Sequence, residues 1–264
     1  MRVQDAVLVS YPLSYLQVFV LMLTRTTAMV GSMPILSSRG LPAMMKIGLA
    51  GMLALILLPV QVQHAPALPN EVWPFALALA QELLIGLLLG FASSLMFDSL
   101  QMAGQIVGLQ IGLNVAAAID PVSSSNQLSY IDQLYAIVAA LIFFTINGHH
   151  WLIMAIQGSF ELVPLNSLLV SPELMDQLIR LVGNLFVITV RVALPVLATL
   201  MLADLAMLII ARTVPQIQVF FLGIPIKVAA GFVTLLAAMP VTVLLMESVF
   251  RSLLGDLTVL LKLM

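Results

Sequence analysis

The sequence predicts an all-α membrane protein, and two observations carry that expectation. Hydrophobic residues make up 62% of the 264-residue chain and charged residues 8%, against about 25% charged in an ordinary soluble domain. The apolar residues also gather into long runs, at 13–36, 43–60, 72–97, 131–156, 178–211 and 217–250. A bilayer core needs about 20 apolar residues per helix, and several runs reach that length. The formal charge is -2 and the Lys and Arg are scattered, so the chain carries no basic footprint for nucleic acid. Without cysteine there is no disulfide framework, thiolate nucleophile or Cys-ligated metal. Sixteen methionines favour adaptable packing surfaces.

In chain order, the first run follows Arg2 and Asp5 and is broken early by Tyr11 and Pro12. No small-residue cleavage site stands near its end, so it reads as an uncleaved first helix. The runs at 43–60 and 72–97 read as further helices, separated by a Pro-rich turn, "HAPALPN". The fourth, 131–156, reads as one helix ending beyond His149 and His150. The fifth, 178–211, contains Arg180, Arg191, Pro195 and Asp204. As a helix it rises about 50 Å, well beyond a hydrocarbon layer of roughly 30 Å, so it is expected to kink at Pro195 or to project from the membrane. The sixth contains "GIPIK" at 223–227. There Pro225 removes an i to i-4 hydrogen bond and predicts a bend, next to Gly223.

Charge bias does not orient these helices. With both termini cytoplasmic, Arg2, Arg180, Arg251 and Lys262 fall on one side, and Arg39, Lys46 and Arg212 on the other, with Lys227 a little inside the last helix. That balance gives no firm positive-inside signal; it reads either as a noisy signal or as helices packed mainly on other subunits. Asp98, Asp120 and Asp132 mark the 98–132 segment as weakly external.

The chemical motifs of enzymes are missing. There is no phosphate loop, nucleophile elbow or H-E-x-x-H pair. His149 and His150 diverge by about 100° on a helix and His64 is distant, so neither a metal nor another cofactor is expected. Four in-span charges, Arg25, Glu82, Arg191 and Asp204, are expected to be buried in interhelical or intersubunit pairs. An ion path and groups that reach water are the alternatives.

The stretch "GLQIGLNVAAAIDPVSSSN" at 108–126 is too polar and Gly-rich for a comfortable span. Gly104, Gly108, Gly112 and Ala116 recur every four residues, a small-residue stripe that admits another backbone. Gln101, Gln105, Gln110 and Asn114 interleave with it. Asp120 before Pro121 ends any helix, and Ser123, Ser124, Ser125 and Asn126 offer N-caps for a helix beginning near Gln127. Two readings stand: an external connection with an ordinary cap, or irregular backbone held in a protein-lined cavity, where such backbone is tolerated at membrane depth.

"GLQIGLNVAAAIDP", "FTINGHHWLI" at 144–153, "ARTVPQIQVFFLGIPIKVAAG" at 211–231 and "PILSSRGLP" at 34–42 closely resemble the FliR/SctT family of type III secretion export-gate proteins. Their order and spacing fit along essentially the whole chain, with the flagellar branch nearer than the injectisome branch. The resemblance implies a FliP-like helical part over 1–177 and a FliQ-like hairpin over 178–264, turning at "RTVPQIQ" around Pro215. It also implies a funnel-like helical assembly with FliP and FliQ in the inner membrane and flagellar basal body, with FlhB and FlhA attached, exporting unfolded flagellar proteins. Residues 106–122 then become a plug narrowing the pore. Leu109, Ile111, Leu113, Val115 and Ile119 supply deformable bulk, Gly108 and Gly112 allow rearrangement, and Gln110 and Asn114 bond neighbouring backbone. A small-solute transporter and a purely structural scaffold are the competing readings; no internal repeat favours the former.

Overall fold

The computed structural model describes residues 2–33, 42–62, 71–112, 130–169, 171–213 and 219–264. Within them lie seven helices: α1 (Arg2–Ser32), α2 (Ala43–Gln61), α3 (Val72–Ile111), α4 (Tyr130–Thr145), α5 (Gly148–Leu162), α6 (Pro172–Thr213) and α7 (Val219–Lys262). The all-helical expectation holds. Three helices are far longer than a bilayer requires: α3 has 40 residues, α6 has 42 and α7 has 44. At 1.5 Å per residue each rises about 60 Å or more.

One expectation needs correction. The run 131–156 is two helices, α4 and α5, bent by 72° across Ile146 and Asn147. Asn147 has φ 58, a left-handed conformation that Asn tolerates better than most residues. Helices α6 and α7 are each continuous through Pro195 and Pro225; a proline can bend a helix without ending it. A proline removes one hydrogen bond, and in a long apolar helix the ladder on both sides continues. Among the described residues four helices are long and apolar enough to cross a membrane, or five if the bent α4–α5 pair counts as one span.

The chain forms two compact units. The first comprises Met1–Leu95, His149–Leu181 and Ser252–Met264. In it, α1 packs against α2, where Thr26 Oγ1 donates to Ala50 O at 3.3 Å. Helix α1 also meets α3 closely. A Cβ on Gly86 would strike Arg25 O and lie 2.7 Å from Ala28 Cβ, and one on Gly90 would strike Ser32. Glycines four apart against Ala and Ser four apart let the two backbones nearly touch. The start of α6 is locally encoded: Ser171 accepts from Leu174 N as N-cap, with Pro172 at the first helical position. Ser171 Oγ also donates to Leu263 O, and Leu169 N to Met264 O, tying the chain end to this corner.

The second unit comprises Met96–Gly148 and Val182–Arg251. Its core holds Phe97, Phe143 and Phe250, with ring centroids 4.8–5.4 Å apart in tilted and edge-on pairs. Thr189 Oγ1 donates to Ser99 O at 3.0 Å, joining α6 to α3. On α7, Gly223 faces Met207 of α6, and Lys227 reaches Asp204. Contacts that step down one helix as they step up the other identify an antiparallel hairpin.

Candidate functional site

Helix α3 ends inside the stretch that drew notice in the sequence. Residues 106–111 are helical, so the loop expected over 106–122 begins only at Gly112. Gly112 has φ 92 and its N–H donates to Leu109 O at 3.1 Å. It is a left-handed C-terminal glycine, a conformation that costs any side-chain-bearing residue more. The helix continues to Ile111 because it is packed there, not because of its propensity.

What holds it is a cluster from three helices. Asp204 of α6 accepts from Lys227 Nζ of α7 at 2.9 Å on Oδ1 and 3.0 Å on Oδ2. Oδ2 also accepts from Gln110 Nε2 of α3 at 3.1 Å. One turn beyond Lys227, a Cβ on Gly231 would lie 2.6 Å from Ile111 Cγ1, so Ile111 fills the notch that this glycine leaves. Lys227 and Asp204 remain partly accessible, at 24% and 43%. A second crossing lies lower on α3. A Cβ on Gly104 would be 2.6 Å from Asp132 Cα, so α4 starts its course directly against α3. The chain therefore leaves α3 at Gly112 and is back on it by Asp132.

A different cluster stands in the first unit. Arg25 and Glu82 are 1% and 0% exposed and pair at 2.5 Å between Nε and Oε2. Arg25 Nη1 donates to Ser159 O at 2.7 Å and Val163 O at 2.9 Å, capping the end of α5, where cations are favoured. Asn166 N donates to Glu82 Oε1 at 2.9 Å, and the guanidinium carbon stands 4.5 Å from the Phe160 ring centroid.

The predicted residues thus separate. Arg25 and Glu82 are buried and paired. Asp204 is paired and partly exposed, and Arg191 is exposed on this chain. Gln110 bonds a carboxylate rather than neighbouring backbone, and Ile111 is buried against Gly231 rather than free to fill a pore. Gly108 is buried and Leu109 exposed. Leu113, Asn114, Val115, Ala116, Ile119, Asp120, Pro121 and Pro215 lie outside the described residues, as do Ser123, Ser124, Ser125 and Asn126. Lys227, Gly231 and the Gly86 and Gly90 pair went unselected in the sequence. The i, i+4 spacing of Gly86 and Gly90 was a readable signal; the contact of Lys227 with Asp204 was not.

Among the described residues no group of three or more His, Cys, Asp or Glu side chains is placed to hold a metal. What the geometry defines is a multi-pass helical membrane protein whose principal polar cluster ties helices together beside an inter-helix segment. A family model described as bacterial export proteins, family 1, matches residues 16–253. The flagellar biosynthetic protein FliR of Escherichia coli (strain K12) is 33% identical over 243 residues, covering 90% of each chain. That of Bacillus subtilis (strain 168) is 32% identical over 237 residues, covering 88% of this chain and 90% of its own. That of Caulobacter vibrioides is 28% identical over 244 residues, covering 92% and 97%. The chain belongs to the FliR family of bacterial export proteins.

Proposed function

We propose that the chain is a subunit of the flagellar type III protein export gate, multi-pass in the bacterial inner membrane at the flagellar basal body. It forms part of the pore through which unfolded flagellar proteins leave, and its partners are FliP, FliQ, FlhB and FlhA. Residues 1–177 form its FliP-like part and 178–264 its FliQ-like hairpin. It contributes a passage, not a reaction.

The segment that starts at Gly112 and runs to 122 serves as the plug. The observation that carries this reading is the clamped end of α3. Gln110 is held by Asp204 and Ile111 by Gly231, immediately before a left-handed glycine, and α4 returns onto α3 at Asp132. The α3 root of the segment is thereby fixed, as a seal requires if it is to deform and reseat in one place. An export channel must pass a polypeptide yet hold the ion gradient at rest, and apolar constrictions close such pores by excluding water.

The test is deletion of residues 113–119 in the assembled complex. The roots and the helices carrying most of the packing stay intact, so the complex should assemble and its resting ion conductance in a reconstituted membrane should rise. An intact complex with unchanged conductance would make the segment an ordinary connector and the subunit a scaffold.

A further inference from the structure

We propose that α2 and the first half of α3 meet lipid acyl chains in the assembled gate, and that α3 leaves the hydrocarbon between Phe91 and Asp98. The observation is a change of chemistry along one face of α3. From Trp73 to Phe91 its exposed residues are all apolar, Leu77, Leu83, Leu84 and Leu87 among them; the exposed residues that follow are Asp98, Gln105 and Leu109. The one charge between Trp73 and Phe91 is Glu82, buried against Arg25. At 1.5 Å per residue the apolar face is about 27 Å long, close to a hydrocarbon layer of roughly 30 Å. Helix α2, with 19 residues, rises about 28 Å. Its one charge is Lys46, in the first turn, and a lysine there can carry its ammonium to the headgroups.

Two features favour lipid over a subunit on these faces. Helix α2 buries Ala50, Ala54 and Gln61 while exposing Met52, Leu55, Ile56 and Val60, and α3 meets α1 through Gly86 and Gly90. Small residues inward and large apolar ones outward is the arrangement of helices solvated by lipid, where burial of a large side chain gains nothing over the acyl chains. The two faces also occupy one slab. Leu23 meets Gly51 and Thr26 meets Ala50, so α2 runs against α1; Arg25 meets Gly86 and Ser32 meets Gly90, so α3 runs with it. Counted from Ala50, the ends of α2 stand about 10 Å one way and about 16 Å the other; counted from Gly86, Phe91 and Trp73 stand about 8 Å and about 20 Å in the same directions. Trp73, 76% exposed, thus lies at the edge of the slab, where an amphipathic ring is favoured. A subunit interface has no cause to end at matching heights on two helices, whereas a bilayer imposes it.

This holds whether or not the segment after Gly112 seals the pore. It rests on the export-gate reading only in what co-purifies: recovery of the chain with its partners tests that reading, and spin labels test this one. Oxygen concentrates among acyl chains and a nickel chelate stays in water, so the collision rates of a label with each tell lipid, water and protein apart. The chain is Cys-free, so Leu55→Cys, Leu84→Cys and Gln105→Cys each take one label, in a gate purified with cysteine-replaced partners and reconstituted in liposomes. Oxygen collision should exceed nickel collision at 55 and 84, and that preference should vanish at 105. Labels at 55 and 84 shielded from both reagents would put a subunit on this face, and labels reached by nickel would put water there; either result overturns the proposal. An oxygen preference that persists at 105 overturns the boundary after Phe91. Should a label at 55 or 84 prevent assembly, Ile56→Cys and Leu87→Cys sample the same exposed faces.

Discussion

Arg25 shows how a single residue organises a crossing of helices. A guanidinium that is 1% exposed must replace its lost water with fixed partners. Nε meets a carboxylate from α3 and Nη1 meets two carbonyls from the end of α5, Nη2 is buried without a hydrogen-bond partner, and the other Glu82 oxygen takes the N–H of Asn166. Removing one side of a buried pair leaves a charge without its partner, at a cost of about 3–5 kcal/mol. Glu82→Leu should therefore lower the unfolding midpoint of the detergent-solubilised chain more than Arg25→Leu with Glu82→Leu together. The double variant should recover only in part, because Ser159 O and Val163 O lose their donor. A double variant no better than Glu82→Leu would show that the carbonyl caps, not the ion pair, carry the stability. The sequence marked Arg25 and Glu82 because ionisable groups in apolar runs need partners. It said nothing of the carbonyls, which lie 134 and 138 positions along the chain and meet Arg25 only after folding.

At the scale of elements, the sequence reported length and apolarity well and continuity poorly. The run 131–156 contains no proline, and hydropathy alone made it one helix. The 72° bend is set by Asn147 at φ 58 and by Phe143, whose ring occupies the place a Cβ on Gly148 would take. Asn147→Gly should be tolerated, whereas Asn147→Val should cost on the order of 1–3 kcal/mol, because a β-branched residue resists positive φ. Equal unfolding midpoints for the two variants would show that the bend does not depend on this backbone conformation. Pro195 and Pro225 stand inside helices that continue through them, so the prolines did not mark helix ends. The cluster around Asp204 was half legible. Gln110 and Asp204 stood out separately as polar groups in apolar surroundings, while Lys227 passed for a residue near a helix end. The α6–α7 hairpin brings Lys227 to Asp204, 23 positions away, and the packing of α3 on α6 brings Gln110, 94 positions away.

At the scale of the whole molecule, what matters is how a chain so apolar accommodates an exposed arginine. Arg191 stands within α6, one of the helices long and apolar enough to cross a membrane. Val187 and Leu194, its neighbours at helical spacing, are exposed with it. Facing lipid at mid-span, a charged side chain costs about 2.5–3.5 kcal/mol on insertion scales. An apolar face interrupted by one cation therefore fits a protein partner offering a carboxylate or carbonyls better than it fits acyl chains. Arg191→Leu should leave the unfolding midpoint of the isolated chain unchanged or slightly raised. The same substitution should lower the yield of chain recovered with its export-gate partners, and Arg191→Lys should retain part of that yield because the charge remains. Full recovery of partners with Arg191→Leu would show that Arg191 faces water instead, and that the apolar residues around it alone hold that face against its neighbour.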